Sequence, residues 1–444
     1  MRYHRRIPWP KPPMRSARVV INTFGSLGDL FPFLSVGRAL HARGHHVTVA
    51  TLEVHHAAVE QAGLHFANAS AVPSPQDMAE FTERVFHPMR GPRLVIRDLA
   101  GADVRESYAR LRVICKDADV LMTSSLAFAG QILGETLGAA GRLRWISAVL
   151  TPCNLVSIFD PPIVGMPWVD AIARGPLRGR RLLQQLTMLR LRNWTGPVRA
   201  FRRELGLRAE STLGNPLQHG QHAPDCALAL FSPLLATRQP DWPSQVRITG
   251  FAHYAQPGAT LGDELQAFLR NGSPPLVFTL GSSAVHIGAD FLRESLKVCE
   301  QLERRAVLFT GSPEMRAKLP ASLPPFAYAV EYAPHAAVFA QAAAIIHHGG
   351  IGTSTEALRA GRPMLVVPHG FDQYDNAERL KHLGVAHAVA SRNYRCETVM
   401  PLLKDLLEDP GYGHRAWHCA EAVRAEHGDH VAADLIEAQL AGRG

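Results

Sequence analysis

Short apolar runs that end in turns alternate with amphipathic stretches along the first half of the chain. The apolar run Arg18–Phe24 is followed by a turn and by a helical pattern over Leu30–Arg43, and His46–Thr51 is the next apolar run. This order predicts parallel strands joined by a right-handed crossover. Further strands are predicted at Val120–Met122 and Leu143–Val149. Strands that alternate with helices indicate an α/β fold with a doubly wound sheet.

The second half of the chain repeats this pattern. Apolar runs at Leu276–Leu280, Val307–Thr310, Ala342–Ile346 and Met364–Val367 alternate with amphipathic stretches. These runs predict a second parallel sheet, which is expected to bind its ligand at the carboxyl ends of its strands. The sequence therefore predicts two Rossmann-like domains.

The length of the chain supports the same division. A chain of 444 residues is longer than one ordinary domain, and a proline-punctuated segment, 239–243, lies near its middle. We predict a basic, disordered tail over 1–16, a first domain over 17–238, a second domain over 239–420, and a final helical segment over 421–444.

Composition limits the class of protein. Hydrophobic residues make up 46% of the chain, which is enough for two cores, and no uncharged apolar run is long enough to predict a membrane-spanning helix. The cysteines are dispersed without a CxxC pair, which favours reduced thiols over a disulfide scaffold or a zinc site, and we expect a cytoplasmic protein. The six cysteines are Cys115, Cys153, Cys226, Cys299, Cys396 and Cys419.

A glycine-rich turn follows the apolar run Ala342–Ile346. Gly349, Gly350 and Gly352 allow the backbone to approach a ligand closely, and a helix is predicted over Thr353–Ala360. A strand, a glycine turn and a helix N-terminus form an anion site together, because free N–H groups and the helix dipole point at one place. The turn has no P-loop lysine, so backbone, hydroxyl groups and a histidine would hold the phosphates.

A second turn of this kind follows the apolar run Leu276–Leu280. It consists of Gly281, Ser282 and Ser283. We expect the two serines to face the same phosphates, and the alternative is a plain strand-to-helix turn.

The stretch 342–376 resembles the nucleotide-sugar signature of family-1 glycosyltransferases of the GT-B fold, and more narrowly the bacterial branch that contains the rhamnolipid rhamnosyltransferases. The resemblance implies an α/β protein in which two Rossmann-like, doubly wound domains face each other across a cleft. It also implies a UDP- or dTDP-sugar as co-substrate, no cofactor, and a last helix that crosses back to the first domain. The matching donor residues are Tyr332 and His335 for the nucleobase, His348, Gly350, Gly352 and Thr353 for the diphosphate, Glu356 for the ribose, and Asp372 and Gln373 for the sugar, with Asn376 completing a DQxxN pattern.

Two of these assignments have local alternatives. Thr353 and Glu356 have the spacing of a capping box, which leaves the role of Glu356 open. Asp372 and Gln373 open a predicted helix over Tyr374–His382, where Asp is a common cap. The DQxxN pattern favours sugar binding for this pair.

Asp29 is the candidate for the chemical step. It lies with Gly25, Ser26, Gly28 and Pro32 in a turn that resembles the GSxGDxxP turn of bacterial relatives, in which the aspartate is taken as the base that deprotonates the acceptor hydroxyl. The alternative is that Asp29 caps the helix that follows, since Asp is a preferred cap. A carboxylate needs burial or a polarised acceptor to act as a base near neutral pH.

The segment 174–208 is rich in arginine. It contains ten arginines and one acidic residue, Glu204, and leucine, methionine and tryptophan lie between the arginines. Such a segment can lie on an anionic membrane surface or help to hold a lipid-like acceptor, while the alternative is a solvated basic helix face. Membrane contact would be peripheral. No stacking or groove-reading motif supports binding of nucleic acid, and we expect none.

Four aromatic residues are candidates for lining an apolar acceptor pocket. They are Phe31, Phe33, Phe159 and Trp168. Each of them alone is also compatible with core or loop packing.

Two other motifs are rejected. The triplet Asp117-Ala118-Asp119 matches the DxD motif that binds manganese in the other glycosyltransferase fold class, but here it precedes a strand, in a turn where Asp is ordinary. We therefore expect no metal site. Glu53 at the end of the second strand could suggest NAD binding, but the first turn lacks the GxGxxG fingerprint.

These expectations combine into one function. The sequence predicts a metal-independent, inverting glycosyltransferase that moves a hexose, rhamnose or glucose, from a dTDP- or UDP-sugar to a hydroxyl of a hydrophobic small-molecule or lipid-like acceptor. The alternatives are a nucleotide-sugar 2-epimerase of the same fold and an inactive nucleotide-sugar-binding partner subunit.

Overall fold

The computed structural model describes residues 16–72, 75–207 and 215–441. Apart from Ser16, the tail predicted over 1–16 lies outside the described residues.

The first domain is built on a seven-stranded parallel sheet in the order β3-β2-β1-β4-β5-β6-β7. Its strands are β1 Arg18–Asn22, β2 His46–Thr51, β3 His65–Asn68, β4 Val120–Thr123, β5 Arg144–Val149, β6 Ala227–Ala229 and β7 Val246–Ile248. The strand order reverses between β1 and β4. In an open parallel sheet this is the place where a crevice forms at the carboxyl ends of the strands.

The second domain has a six-stranded parallel sheet in the order β10-β9-β8-β11-β12-β13. Its strands are β8 Leu276–Thr279, β9 Ala306–Phe309, β10 Ala327–Val330, β11 Ala344–His347, β12 Met364–Val366 and β13 Ala386–Ala388. The order reverses between β8 and β11, the strands that precede the two predicted glycine turns. Two Rossmann-like sheets confirm the predicted fold class.

Helices connect the strands and cover the sheets. They are α1 Leu27–Ala42, α2 His56–Gln61, α3 Met78–Val85, α4 Gly91–Arg93, α5 Val104–Ile114, α6 Phe128–Ala139, α7 Pro167–Arg174, α8 Leu177–Trp194, α9 Gly196–Glu204, α10 Asp263–Arg270, α11 Gly281–Ala284, α12 Ala289–Gln301, α13 Pro313–Arg316, α14 His335–Phe339, α15 Ile351–Ala360, α16 Gln373–His382, α17 Cys396–Glu408, α18 Pro410–Arg424 and α19 Gly428–Ala441. A π-helical segment, Leu94–Ala100, follows α4.

The first sheet extends beyond the boundary predicted at residues 238 and 239. Ala227 pairs with Val246 and Ala229 pairs with Ile248, so β7 belongs to the first domain. The proline-punctuated segment 239–243 therefore joins two strands of one sheet and is not the domain connector that we predicted. Proline interrupts regular structure but does not require a change of domain.

The final segment returns to the first domain as the end of one helix and a second helix, and not as the single last helix predicted over 421–444. Helix α18 ends at Arg424 and α19 begins at Gly428, where the backbone packs so closely against Gly250 that a side chain would collide with it. Between the helices, Glu426 accepts hydrogen bonds from the Phe251 N–H group at 2.8 Å and from the Ser232 hydroxyl at 2.5 Å. These long-range contacts stop the helix where the sequence pattern continues.

Helix α19 is attached to α1 by charged side chains. Arg43 pairs with Asp434 at 2.8 Å and with Glu437 at 2.9 Å, and Ser35 donates to Asp429 at 3.0 Å. The end of the chain therefore braces the helix that begins at the candidate catalytic turn.

Candidate active site

The turn between β1 and α1 fixes Asp29. The Ser26 N–H group donates to Asp29 Oδ2 at 2.7 Å, and the Ser26 hydroxyl donates to the same oxygen at 2.9 Å. A side chain at Gly25, where φ is +141°, would collide with this carboxyl group. Asp29 is thus the third helical residue of a capping box whose N-cap is Ser26. It bonds to the start of α1 as the capping alternative expected, but it is not the N-cap residue itself. Both hydrogen bonds use Oδ2, so capping does not occupy the other oxygen.

Burial raises the pKa of Asp29, and the two Ser26 hydrogen bonds and the charge of His55 oppose this change. His55 was not identified from the sequence. Its buried ring lies after β2, and its Nε2 donates to the Gly25 carbonyl oxygen at 2.9 Å. The ring braces the turn from a distant part of the chain, so no local motif could reveal it.

His348 lies between the two glycine turns of the second domain. A Cβ atom at Gly281 would be 2.5 Å from His348 Cε1, and one at Gly350 would collide with His348 Nε2. Burial, together with the neighbouring His347 and His369, lowers the pKa of His348 well below its ordinary value. The imidazole is therefore neutral at pH 7, and it can donate one N–H group but carries no charge.

The glycine turn after β11 leads into the N-terminus of α15. The Gly349 N–H group donates to His347 Nδ1 at 3.1 Å, and the Gly349 carbonyl accepts from Asn376 Nδ2 at 2.9 Å. Helix α15 begins at Ile351, two residues before its predicted start, so the N–H groups of its first turn face the end of the sheet. This arrangement has the geometry of an anion site.

Asp372 and Gln373 open α16 as predicted. The Asp372 side chain does not bond to the helix N-terminus, and its Oδ2 accepts from Asn376 Nδ2 at 2.8 Å, so the predicted capping alternative is wrong. Gln373 Oε1 accepts from the N–H groups of His369 at 2.8 Å and Gly370 at 3.2 Å. Asn376 therefore ties the glycine turn to Asp372, and the Gln373 side chain is held in a fixed orientation.

The two candidate carboxyl groups, one from each domain, interact electrostatically. Burial raises the pKa of Asp372 to about 7, and the charge of Asp29 is the second cause of this increase. Asp29 belongs to the first domain and Asp372 to the second. One carboxyl group from each domain therefore takes part in this electrostatic interaction.

Glu356 does not form the predicted capping box. Helix α15 begins at Ile351, so Thr353 already lies inside its first turn. Glu356 Oε1 pairs with His253 Nδ1, a residue that sequence reasoning missed, and within the described residues its buried Oε2 has no hydrogen-bond partner. This unused oxygen leaves Glu356 available to a ligand hydroxyl.

The remaining donor-side residues surround these turns. Tyr332 is exposed and donates its hydroxyl to Gln256 Oε1 at 2.5 Å. His335 starts α14 and stacks on Phe339 with ring centroids 4.8 Å apart, and burial lowers its pKa to about 4. Gly352 and Thr353 lie in the first turn of α15, and Ser282 and Ser283 lie in α11, where Ser282 is exposed.

One of the four predicted acceptor residues does not line the cleft. Phe33 is fully buried in the core under the first sheet, because α1 turns this side chain toward the strands. Phe31 is half-buried and packs against Tyr254, with ring centroids 5.1 Å apart. Phe159 and Trp168 are 42% and 67% exposed. Phe33 is therefore a core residue, and the other three remain candidates.

A loop of the first domain, 157–165, packs against α16. Asp160 pairs with Arg379 at 2.9 Å, Arg379 pairs with Asp375 at 2.7 Å, and the Ile163 N–H group donates to Asp375 at 3.1 Å. Asp375 is buried and the Arg379 side chain is 10% exposed, and both follow Asp372 and Gln373 on the same helix. This contact between the domains, which no sequence motif indicated, connects the acceptor side to the predicted sugar pair.

The Asp117 and Asp119 side chains lie at the other end of the first sheet. Asp119 Oδ2 accepts from the Arg18 N–H group at 2.8 Å, and Asp117 pairs with the Arg18 guanidinium at 3.3 Å. Both contacts are at the amino ends of β1 and β4, away from Asp29. In the ranges that the structure describes, no group of three or more His, Cys, Asp or Glu side chains is arranged to hold a metal ion.

Comparisons with known proteins agree with this geometry. Residues 306–438 match the family described as erythromycin biosynthesis protein CIII-like, C-terminal domain, and residues 19–149 match the glycosyltransferase family 28 N-terminal domain. The chain is 32% identical to the O-mycaminosyltylonolide 6-deoxyallosyltransferase of Streptomyces fradiae, over 95% of this chain and 97% of the relative. It is 26% identical to the sterol 3-beta-glucosyltransferase of Emericella nidulans over 96% of this chain, but spans only 30% of that longer protein.

A solved structure shows the same fold. The spinosyn rhamnosyltransferase complexed with thymidine diphosphate superimposes with a TM-score of 0.64 and 21% identity, over 95% of this chain and 100% of that chain. The chain belongs to the UDP-glycosyltransferase-like, family-1 glycosyltransferases of the GT-B fold. The family predicted from residues 342–376 is confirmed, and the protein is a glycosyltransferase.

The raised pKa of Asp372 predicts a pH dependence of stability. The ligand-free folded protein keeps a proton on Asp372 up to about pH 7, whereas the unfolded chain releases it near the ordinary pKa of 3.8. The free energy of unfolding should therefore fall between about pH 4 and 7 as the pH rises, by at most about 1.4 kcal/mol per pH unit from this group. Asp372→Asn should reduce this slope, because its amide does not titrate and can still accept from Asn376.

Urea unfolding of the ligand-free protein at several pH values in this range measures the slope. Asp117→Asn, at an exposed carboxylate, is the control and should leave the slope unchanged. Equal slopes for the unmodified protein and Asp372→Asn would contradict the assignment.

Proposed function

We propose that this protein is an inverting glycosyltransferase that moves a hexose, such as rhamnose or glucose, from a dTDP- or UDP-sugar to a hydroxyl group of an apolar acceptor. The observation that carries the proposal is that two carboxyl groups, Asp29 of the first domain and Asp372 of the second, are close enough for the charge of Asp29 to raise the pKa of Asp372. In this proposal Asp29 meets the acceptor, and Asp372 is connected through Asn376 to the glycine turn that precedes α15. A reacting hydroxyl and an activated sugar would meet between them.

Asp29 is the base in this proposal. Its carboxylate takes the proton from the acceptor hydroxyl while the acceptor oxygen attacks the anomeric carbon. The bond from that carbon to the diphosphate oxygen breaks, and the diphosphate leaves with the electron pair, so an attack in line inverts the configuration. Burial raises the pKa of Asp29, which strengthens it as a base.

Backbone dipoles are the proposed stabilisers of the leaving diphosphate. The N–H groups in the first turn of α15 point at the anion site, and the neutral His348 contributes an N–H group but no positive charge. Donors that are fixed where negative charge develops usually lower the reaction barrier more than any other single effect. Ser282 and Ser283 of α11 are assigned to the same diphosphate.

The sugar and the nucleoside are assigned to neighbouring residues. Gln373 is oriented through its Oε1, which leaves its amide group to donate to a sugar hydroxyl, and Asp372 accepts from another. The free Oε2 of Glu356 is assigned to the ribose. Tyr332 and His335 are assigned to the nucleobase.

The acceptor is proposed to be a bulky apolar molecule of the macrolide type. One relative is named for its transfer to O-mycaminosyltylonolide and another for its transfer to a sterol. Phe31, which packs against Tyr254, and the exposed Phe159 are assigned to the acceptor side of the cleft. Large apolar surface suits such a molecule better than a highly hydrated oligosaccharide.

Acceptor-dependent release of free nucleotide tests the reaction class. The purified protein is incubated with dTDP- and UDP-sugars and with a panel of macrolides, sterols, phenols and polar oligosaccharides, and products are identified by mass spectrometry. A transferase should release dTDP or UDP only when an apolar acceptor is present, with equal formation of glycoside. Release without acceptor together with an epimerised sugar indicates a 2-epimerase, and donor binding without turnover indicates an inactive partner subunit.

The variant Asp29→Asn distinguishes a role of Asp29 as the catalytic base from a role only in capping α1. The asparagine oxygen can still accept from Ser26 but cannot take a proton, so turnover should fall by about two to four orders of magnitude while donor affinity is kept. Ser26→Ala is the matched control. It removes one cap hydrogen bond, at a cost of about 0.5–2 kcal/mol in stability, and keeps the carboxylate, so turnover should stay within about tenfold. If Asp29→Asn turns over almost as fast as the unmodified protein and only loses stability, Asp29 is a cap and not the base.

We also propose that no divalent cation is required. Backbone N–H groups and His348 are assigned to the diphosphate, and Asp117 and Asp119 are engaged by Arg18 at the far edge of the sheet. A chelator should therefore leave turnover unchanged, and Asp119→Ala should affect only stability. Loss of turnover in EDTA that manganese restores would contradict this proposal.

A further inference from the structure

The outer face of α8 combines exposed leucines with unpaired arginines. Helix α8 runs from Leu177 to Trp194, and none of its residues is buried. Leu182, Leu186 and Leu189 are 57%, 55% and 60% exposed. Their spacing of four and three residues puts them on one side of the helix. Scattered single leucines are ordinary on a protein surface, whereas these three are neighbours and form one apolar patch, and contiguous apolar patches rimmed by polar residues are typical of interaction sites.

Arginines flank this row of leucines. Arg178, Arg181 and Arg192 are exposed, and within the described residues none of them has an ion-pair partner. Arg190 lies over the Trp194 ring at 5.0 Å. No acidic residue occurs between 177 and 194. We call the three leucines with Arg178, Arg181 and Arg192 the α8 face.

Other arginines of the same region have structural partners. Arg174 pairs with Glu378 at 3.1 Å, and Arg202 pairs with the half-buried Glu135. Arg180 donates to the Gly175 carbonyl at 2.7 Å and to the Phe159 carbonyl at 3.2 Å, which attaches α8 to the loop 157–165. The arginines of the α8 face are therefore the ones that the fold itself does not use.

We propose that the α8 face docks on an anionic lipid membrane. A helix with leucines on one side and arginines beside them lies in the interface plane of a bilayer, where the leucines enter the acyl boundary and the arginines meet phosphates. The described part of the chain contains no helix that is both long and apolar enough to span a bilayer, so the contact is peripheral.

The charge of the α8 face favours an anionic membrane over a second copy of the chain as its binding partner. In a symmetric dimer, the same patch would face itself, and the arginines of both copies would meet without an acidic residue between them. A lipid surface supplies the missing negative charge. If the acceptor-binding role of Phe159 in the proposed function holds, docking through α8 also brings the acceptor side of the cleft near the lipid.

Vesicle co-sedimentation of the full chain, without donor or acceptor, tests the proposal. Vesicles of phosphatidylglycerol and phosphatidylcholine should bind the protein at least about tenfold more tightly than vesicles of phosphatidylcholine alone, and added salt should weaken this binding. The triple variants L182Q/L186Q/L189Q and R178Q/R181Q/R192Q should each lose binding, the arginine variant by on the order of 100-fold. All of these side chains are exposed, so the variants should fold, which thermal unfolding checks.

The control variants replace exposed apolar or positively charged side chains outside the α8 face. Val54→Gln and Val113→Gln remove exposed apolar side chains, and R270Q/R293Q/K318Q removes three exposed positive charges outside the α8 face. These controls should bind vesicles within about twofold of the unmodified protein.

The proposal is overturned if the unmodified protein does not bind anionic vesicles, or if the α8 variants bind as well as the controls. It is also overturned if the face binds only an acidic protein, because vesicle binding is then absent. Because the assay uses no substrate, its outcome is independent of the proposed reaction.

Discussion

The geometry of the donor side depends on the packing of the His348 ring between two turns. Gly281 follows β8 and Gly350 precedes α15, and a side chain at either glycine would displace the ring. Strands β8 and β11 are neighbours at the point where the strand order reverses, so both turns open on one crevice. Because one ring touches both turns, the serines of α11 and the N–H groups of α15 are held at a fixed separation.

Burial then sets the electrostatics of this crevice. It lowers the pKa of His335 and His369 to about 4 and raises the pKa of Asp372 to about 7. Burial removes water from the charged form of each group, so the neutral form is favoured in the histidines and in the aspartate. The walls of the crevice are consequently polar but carry little charge. A diphosphate would meet oriented dipoles and not cations.

The sequence predicted the parts of the site that are local in the chain. The glycine turn, the end of α15 and the position of Asp372 and Gln373 follow from spacing within about thirty residues, where turn and cap chemistry decide the structure. His55, His253 and Arg379 could not be found this way. Each acts through a partner that is far away in sequence or in a different element, and a single histidine or arginine carries no signal of such a partner. The break before α19 has the same origin, since Glu426 bonds to residues that precede it by more than a hundred positions.

The surroundings of apolar side chains are also difficult to predict from the sequence. Periodicity identifies which side of a helix is apolar, but it does not identify what covers that side. On α1, the side that contains Phe33 is covered by the first sheet, so a predicted pocket residue became part of the core. On α8, Leu182, Leu186 and Leu189 are left in contact with water. A basic helix that only faces water does not need leucines on its outer side. Arginine or glutamine at these positions would be better hydrated, and no packing would be lost because the leucines are not part of a core. The three leucines therefore count against the solvated alternative, and the arginines beside them indicate the negative charge of the surface that they meet.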